Sequence, residues 1–478
     1  MAFDGTDDWY TFVVRWKPDM PEEFIYCFKP KNIHNPAAVM AKEIAKMFET
    51  KFPKTWAALT NRSVIMTTIC GDGAPVVSKT VDELRKYPQF FRAQYFYDPD
   101  HSQNVMAKNA MKHSGILTGQ VQSHLKRFAT LANHSGCVKK QVRNERLKHV
   151  KRLDREYERY FYHGSLGGDS VQEQFSDEDS DEGELDEGEL QEQEESGRVW
   201  FENATEISAA VVADADGDNS ADVDENEAEP ENENVNNFKI KRRYIHHQQP
   251  SLTRFTGQDK HYDSNAYLNS ITISTCLSLR PHKDHGPIAN GILKSCCEVT
   301  YNFEFIFDHR FFRISAICNL RLQAKQLTKG QILSSFAEWK TSIIDLQANL
   351  NVIAEKAKAL TKHNLKRIGA FWMTTRSGRS TDNVDTFCIN YQPFESACEY
   401  CIQQIDENIK AVEKSCESQL LYSSMFCETT FSIFAKIRDK YSITIGNPQL
   451  YLHMCGTLQP ARMTKIDVDK LAKLFLTK

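Results

Sequence analysis

The stretch of sequence that decides the fold is "ILSSFAEWKTSIIDLQANLNVIAEKAKAL", which runs from Ile332 to Leu360. Its apolar residues recur at alternating intervals of four and three positions, and neither proline nor glycine interrupts them. These residues are Ile332, Phe336, Trp339, Ile343, Leu346, Leu350, Ile353, Ala357 and Leu360. An apolar stripe with this spacing predicts long amphipathic helical structure.

A second run with the same spacing follows Pro393 and comprises Cys398, Ile402, Ile405, Ile409, Val412 and Cys416. The segment between the two runs contains a predicted strand, Ile368–Thr375, and a polar loop. Two helices with apolar stripes either pack inside one domain, against each other or on a sheet, or leave one stripe for a partner protein. Packing inside the domain is favoured, because a layered α+β fold needs such faces.

Other parts of the C-terminal region have the composition of β-strands. Ser270–Leu279 alternates as a strand does, and Cys297–Phe307 and Phe311–Gln323 are rich in β-branched and aromatic residues. Because only "DHR" separates the last two segments, they predict an antiparallel hairpin. We therefore expect residues 238–478 to form an α+β domain with heptad-patterned helices and a region for protein interaction.

The N-terminal region also has the features of an α+β domain. Tyr10–Trp16 and Glu23–Phe28 flank a turn with two prolines and predict a hairpin. A helix is expected to follow, because Asn35 can cap it and Pro36 suits its first position. Ser63–Ile69 predicts a further strand.

This predicted N-terminal domain, residues 1–163, ends in a basic helix over Val138–Tyr162. Six of its basic residues suggest contact with DNA phosphates, namely Lys139, Lys140, Arg143, Arg146, Lys151 and Arg152. Four acidic residues in the same stretch weaken the positive field, which favours an ordinary surface helix instead. Direct DNA contact and a solvated surface are therefore two competing interpretations.

Between the two regions lies an acidic block whose centre is "SDEDSDEGELDEGELQEQEES", Ser176–Ser196. From Glu173 to Glu233 there are 25 acidic residues and one basic residue, Arg198. Such a composition buries too little apolar surface to offset the entropy of an ordered chain. Residues 164–237 are therefore expected to be a disordered, PEST-like linker.

The rest of the chain is basic. The formal net charge is -5, but the residues outside the acidic block comprise 58 basic and 39 acidic residues. This excess suits a polyanionic partner such as nucleic acid, or an acidic protein. A hydrophobic content of 41% permits a folded core. No apolar run approaches the roughly 20 residues of a membrane span. Since no secretory signal is visible, the cysteines are expected to be reduced thiols.

No motif in the sequence assigns a catalytic, cofactor-binding or metal-ligating residue, so we expect a protein that is not an enzyme. Cys398 and Cys401 form a C-x-x-C pair, but they lie inside a helical run rather than at a turn. His282 and His285, with the adjacent cysteines at 296–297, form the other candidate metal set. Adjacent cysteines on a strand point apart, which argues against a shared ion.

The chain length, the lack of a catalytic motif and the PEST-like segment together resemble the orientation disruptor family of insect meiotic cohesion proteins. The resemblance extends over the layout of the whole chain and assigns no functional residues. It implies a non-enzymatic nuclear protein on meiotic chromosomes and their centromeres. Such a protein acts with the cohesion machinery to keep sister chromatids together, and it supports meiotic recombination and chromosome segregation. A basic regulatory factor that binds nucleic acid, an adaptor with no role on chromatin, and an enzyme with dispersed catalytic residues are the alternatives.

Overall fold

The computed structural model of the chain describes residues 2–6, 9–14, 23–28, 36–66, 68–113, 115, 119–161, 247–248, 255–323, 327–369 and 384–414. The acidic segment 164–237 lies outside these residues, as does most of the predicted strand Ile368–Thr375. The prediction of a disordered linker therefore stays a prediction.

Five strands form one mixed sheet with the order β3-β2-β1-β4-β5. The strands are β1 (Ala2–Thr6), β2 (Trp9–Val14), β3 (Glu23–Phe28), β4 (Thr68–Gly71) and β5 (Gln94–Tyr97). β1, β2 and β3 are antiparallel neighbours, and β4 lies parallel to both β1 and β5. The predicted N-terminal hairpin is confirmed as β2 and β3. The strand predicted at Ser63–Ile69 begins later, at Thr68, and β1 was not predicted.

Helices predominate in the described part of the chain. They are α1 (Pro36–Lys51), α2 (Pro53–Thr60), α3 (Pro75–Leu84), α4 (Pro99–His113), α5 (Gln120–His134), α6 (Gly136–Tyr160), α7 (Phe255–Tyr267), α8 (Asn269–Leu279), α9 (Gly286–Cys296), α10 (Val299–Leu322), α11 (Lys329–Ala348), α12 (Leu350–Ile368) and α13 (Gln392–Lys414), with a short 3-10 helix at Pro88–Phe90. The mixed class holds only for the N-terminal region, where the sheet lies.

Three of the strands predicted in the C-terminal region were wrong. Ser270–Leu279 belongs to α8, and the predicted hairpin of Cys297–Phe307 and Phe311–Gln323 is the single helix α10. Both helices are buried on nearly every side, so their apolar residues show no period of 3.6. An apolar run of this kind cannot be assigned to a helix or a strand from its periodicity.

The long apolar stripe also differs from its prediction. It is helical, but it is divided between α11 and α12, because Asn349 leaves the helical conformation with φ −105° and ψ 22°. All nine residues of the stripe are buried. A continuous heptad pattern therefore fixed the buried face of each helix but did not require one continuous helix.

The chain forms two compact units, and each is assembled from separated segments. Unit 1 takes residues 1–117, 313–348 and 391–478, and unit 2 takes residues 118–312 and 349–390. The division falls within α10, after Phe312. The sequence had suggested contiguous domains, 1–163 and 238–478.

Unit 1 contains the sheet and two groups of helices. α1 packs on α3, and both share a core with Ile69 of β4 and Phe90 of the 3-10 helix. α11 packs on α13, which also packs on α4. α11, with the first part of the long stripe, and α13, with the second run, thus meet inside unit 1, and packing inside one domain is confirmed for this pair. The rest of the long stripe lies on α12, which belongs to unit 2.

The described part of unit 2 contains helices joined by turns and loops, and no strand. α6 packs on α5 and α8, and α8 packs on α9. The part of α10 that belongs to this unit is almost entirely buried, including Phe303, Phe305 and Phe307. The basic helix α6 is therefore held on a helical core.

Candidate functional site

The basic helix predicted at Val138–Tyr162 is confirmed as α6. Ser135 begins it, since its side-chain oxygen accepts a hydrogen bond from the backbone N–H of Val138 at 3.5 Å. Val138, Leu153 and Tyr160 are buried and fix which face of the helix points inward. The opposite faces carry the basic side chains.

Four of the six basic residues proposed for DNA contact are exposed, namely Lys139, Lys140, Arg143 and Arg152. The prediction was wrong for Arg146, because its side chain is only 8% exposed. The side chain of Arg146 lies on the buried side of the helix, with the apolar residues, and is therefore not available to a phosphate. The side chain of Lys151 lies outside the described part of the structure.

The acidic residues of α6 are largely engaged by other groups of unit 2. The buried carboxylate of Glu145 accepts hydrogen bonds from Gln141 at 2.9 Å and from Lys148 at 3.4 Å. Asp154 accepts one from the hydroxyl of Tyr267 at 2.9 Å.

Glu156 is the third engaged acid. One of its carboxylate oxygens lies 3.3 Å from His363 and 3.5 Å from Arg367, both of α12. Glu156 is thus paired with basic groups that lie outside α6. Asp154, whose partner is a neutral hydroxyl, and the exposed Glu158 keep their negative charges and still offset part of the positive field of α6.

A buried polar cluster in unit 2 joins three helices. The carboxylate of Asp263 in α7 accepts a hydrogen bond from the hydroxyl of Tyr157 in α6, and lies 2.9 Å from Nε2 of His309 in α10. Asp263 and His309 are 2% and 3% exposed. A buried carboxylate with two partners of this kind ties the helices together and fixes their register.

Beside this cluster, α10 carries two carboxyl groups four residues apart, the partly buried Glu304 and the buried Asp308. Tyr262 donates a hydrogen bond to Asp308 at 2.9 Å. Burial raises the pKa of Glu304 to about 7, and burial together with the charge of Glu304 raises the pKa of Asp308. Burial therefore favours the neutral form of both carboxyl groups.

A second group of acids lies at the sheet of unit 1. The register of β1 with β4, and of β4 with β5, places Asp4, Asp72 and Asp98 at one level of three neighbouring parallel strands. Asp4 lies within β1, while Asp72 and Asp98 directly follow β4 and β5. The carboxyl ends of parallel strands are the usual place for ligands in mixed sheets.

Two of these aspartates also have a local role. Asp72 accepts a hydrogen bond from the N–H of Ala74 at 3.1 Å, and Asp98 accepts one from the N–H of Asp100 at 2.9 Å. Gly73 between the strand and α3 has φ 81°, and a Cβ atom there would overlap the ring of Tyr97. Among the side chains that the structure describes, no three His, Cys, Asp or Glu residues are grouped to hold a metal ion.

The C-x-x-C pair is part of the core of unit 1. Cys398 and Cys401 are both buried on α13. Burial raises the pKa of Cys398 to about 12, and burial also raises the pKa of Cys401 well above its ordinary value. Thiols held neutral in this way are poor nucleophiles and poor metal ligands.

The histidine pair and the adjacent cysteines do not converge on one point either. The rings of His282 and His285 stack with centroids 4.6 Å apart, and His285 contacts the hydroxyl of Ser135 at 3.2 Å. Cys296 is buried at the end of α9, where burial raises its pKa. These residues are packing groups.

Sequence reasoning missed the buried cluster of Asp263, His309 and Tyr157. Its signal was present in "DHR" at 308–310, a charged triplet within an apolar run. The interpretation of that triplet as a turn was wrong, since it contains neither glycine nor proline. A charged group amid apolar residues without turn-forming residues marks a buried polar site instead.

No family model matches the chain, and neither a curated protein nor a solved structure is similar to it. The function is therefore argued from the residues of the sites themselves. None of the described helices combines the length and the apolar composition that a membrane span requires.

Proposed function

We propose that the protein is a nuclear, chromosome-associated protein without enzymatic activity that acts in meiotic sister-chromatid cohesion and contacts DNA through α6. The observation that supports DNA contact most directly is the charge arrangement of this helix. Lys139, Lys140, Arg143 and Arg152 are exposed, while three acids of the same helix are engaged by neighbouring side chains.

The physical basis of this contact is the release of counterions from DNA. Each phosphate that a lysine or arginine neutralises frees condensed cations, so affinity falls steeply as the salt concentration rises. A helix that presents basic groups from successive turns matches the phosphates along one strand. Such contact is independent of base sequence, as a protein acting along whole chromosome arms requires.

The cohesion role rests on the layout of the chain. A basic body with an acidic segment suits a protein that is held on chromosomes and removed on a signal, since added phosphate or proteolysis acts first on an exposed acidic segment. The proposed partners are chromatin-associated proteins of the cohesion machinery. The proposed location is the nucleus, on chromosome cores and centromeres.

DNA contact is tested with two matched charge reversals. Lys139→Glu with Arg143→Glu changes two exposed residues of α6 that are four positions apart. Lys42→Glu with Lys46→Glu makes the same change on α1, where both residues are also exposed. Binding to a labelled DNA duplex should weaken, with a shallower salt dependence, only in the α6 variant. Equal binding by both variants would rule out α6 as the contact.

The cohesion role is tested in meiotic cells. A tagged chain should localise to chromosome cores or centromeres in spread nuclei, and sister chromatids should separate early when the protein is lost. A diffuse signal with no retention on chromatin would contradict the chromosomal role, whatever the chain binds in solution.

A second candidate function is supported by the aspartates at the sheet. By the register of the strands, the backbone positions of Asp4, Asp72 and Asp98 lie at one level, and acidic residues at the carboxyl ends of parallel strands are typical of sites for divalent cations that position and activate phosphate esters. This candidate is a cation-dependent enzyme of nucleic-acid phosphates. Its substrate would be the same polyanion that the basic surface attracts.

The two candidates are separated by Asp72→Asn. Asparagine can still accept the hydrogen bond from Ala74, so the loop is retained while a negative charge is lost. The enzyme candidate expects Mg²⁺- or Mn²⁺-dependent DNA cleavage that disappears in Asp72→Asn and persists in Asp82→Asn, a control in α3. DNA binding without cation-dependent cleavage supports the first function.

A further inference from the structure

Two loops of unit 1 meet at the edge of the sheet opposite to the aspartates. The loop after α2 leads into β4, and the loop after α3 leads into β5. Because β4 and β5 are parallel, their amino ends lie at the same edge. Residues from the two loops are therefore brought together although they are about thirty positions apart in the sequence.

An exposed aromatic ring is the centre of this meeting point. Phe90 is buried against Phe48 and fixes the second loop to the core. The next residue, Phe91, points outward and is 40% exposed.

Two arginines lie on the exposed ring. The guanidinium carbon of Arg62 is 4.9 Å from the centroid of the Phe91 ring, and that of Arg92 is 5.3 Å from it. Val64 and Ile65, which follow Arg62, are 47% and 38% exposed. We call Arg62, Phe91 and Arg92 the aromatic platform.

The backbone holds Arg62 in an uncommon conformation. Its φ of 62° lies in the left-handed region, which residues other than glycine seldom adopt. The N–H of Ser63 donates to the side chain of Asn61 at 3.0 Å, and the N–H of Val64 donates to the carbonyl of Ala58 at 3.2 Å. These bonds maintain the turn that directs Arg62 toward the ring.

The charges of the platform are not neutralised within the described part of the chain. Neither Arg62 nor Arg92 forms an ion pair with a carboxylate there. Their neighbours Arg85 and Lys86 do so, with Asp82 at 3.0 Å and Glu83 at 2.6 Å. The platform therefore combines an accessible π surface with two positive charges that are open to an anionic partner.

We propose that the aromatic platform binds single-stranded nucleic acid, with a base stacked on Phe91 and phosphates bound by Arg62 and Arg92. Aromatic rings that stack on bases, flanked by arginines that bind the backbone, are the general means of binding single strands without sequence preference. A duplex keeps its bases stacked inside and offers none to an exposed ring, so the platform prefers single strands.

This inference goes beyond the proposed DNA contact and does not depend on it. α6 belongs to unit 2 and offers only charge, whereas the platform belongs to unit 1 and offers a ring. A site that binds single-stranded DNA would let the protein act where the two strands of chromosomal DNA are separated.

The test uses the full-length chain, a fluorescein-labelled oligo(dT) of about 20 nucleotides and a duplex of equal length. Phe91→Leu keeps an apolar side chain but removes the π surface, and should weaken binding of the single strand roughly tenfold. Phe91→Tyr should bind as the wild type does. The matched control is Phe387→Leu, because Phe387 is 42% exposed elsewhere in the chain.

Removing charge provides a second, independent measurement. Arg62→Gln with Arg92→Gln should make the salt dependence of single-strand binding shallower, while Phe91→Leu should leave it unchanged. Melting curves of all variants establish that each is folded. Neither change should affect duplex binding, which the α6 variant weakens.

Each contrary outcome is informative. Equal single-strand affinity of Phe91→Leu and the wild type overturns the platform and leaves the α6 contact untouched. Loss of duplex binding in the α6 variant has no bearing on the platform. Failure of the wild type to bind oligo(dT), or binding of an acidic peptide instead that depends on Phe91, also overturns it.

Discussion

Glu304 carries a carboxyl group into the interior of unit 2, where burial raises its pKa from an ordinary value near 4.5 to about 7. Between these two pH values the folded chain keeps a proton that the unfolded chain releases. The free energy of unfolding should therefore fall as pH rises from about 4.5 to about 7, and stay lowered above that range. Asp308 acts in the same direction, because its pKa is also raised by burial.

Replacing Glu304 by glutamine removes the group that must ionise inside the unit. At pH 8 we expect Glu304→Gln to be more stable than the wild type by roughly 1–3 kcal/mol, and at pH 4 to be nearly equal to it. Urea denaturation at the two pH values measures the difference. Glu158→Gln on the exposed side of α6 is the control, and an identical pH response in both variants would contradict the buried carboxyl.

Asp263 joins three helices, so its loss should weaken the packing of all three. Asp263→Ala would leave Tyr157 and His309 without the carboxylate that joins them, and should lower the free energy of unfolding by about 3 kcal/mol. Tyr157→Phe removes one hydrogen bond and should cost about 1 kcal/mol. Equal and small effects in denaturation experiments would show that the cluster contributes no stability.

At the scale of elements, α11 offers two neighbouring isoleucines with opposite environments. Ile343 belongs to the apolar stripe and is fully buried, whereas Ile344 is 46% exposed. Ile343→Ala should destabilise the chain by about 2–5 kcal/mol, and Ile344→Ala should change its stability by no more than about 0.5 kcal/mol.

Thermal or chemical denaturation of the two variants measures this contrast. If Ile343→Ala were as stable as Ile344→Ala, the stripe would be facing something other than the core of unit 1. That result would support the alternative interpretation, in which one apolar stripe binds a partner protein.

The elements that could be predicted from the sequence are those with one apolar face and one polar face. α1, α6, α11 and α13 have such faces, and their spacing indicated them. β2 and β3 were indicated by their composition and by the prolines between them. An element whose two sides face different environments carries apolar residues at a regular spacing, and this spacing can be recognised in the sequence.

The elements that could not be predicted are those whose environment is the same on all sides. α8 and α10 are surrounded by other helices, so aromatic and β-branched residues occupy every face. Local preference then indicated strands, and tertiary burial overrode it. The break at Asn349 was also invisible, because both α11 and α12 continue the same spacing.

The candidate sites follow the same logic. The basic residues of α6 were found because charge on a surface helix is visible in the sequence, but the burial of Arg146 depends on its neighbours in space. The aromatic platform depends on two parallel strands that bring Arg62 and Phe91 together. Contacts of this kind are fixed by the order of strands in the sheet, which no local stretch of the sequence contains.

At the scale of the whole molecule, the charges of the chain are separated along the sequence. The residues outside Glu173–Glu233 carry a formal net charge of +19, and that segment, with 25 acidic residues and one basic residue, carries −24. If this segment is disordered as predicted, it acts as a tethered polyanion with a high effective concentration at the basic surfaces of its own chain. It should therefore compete with DNA for them, and salt should weaken both contacts together.

Deletion of residues 164–237 should raise the retention of the chain on immobilised DNA and raise the salt concentration needed to elute it. A neutral glycine–serine linker of equal length is the matched control for spacing, and it should behave as the deletion does because only the charge matters. If the linker variant instead elutes with the wild type, the segment does not shield the basic surfaces. The elution profile therefore shows whether residues 164–237 act only as a spacer or compete with DNA. Only a segment that competes with DNA changes the salt concentration at which the chain elutes.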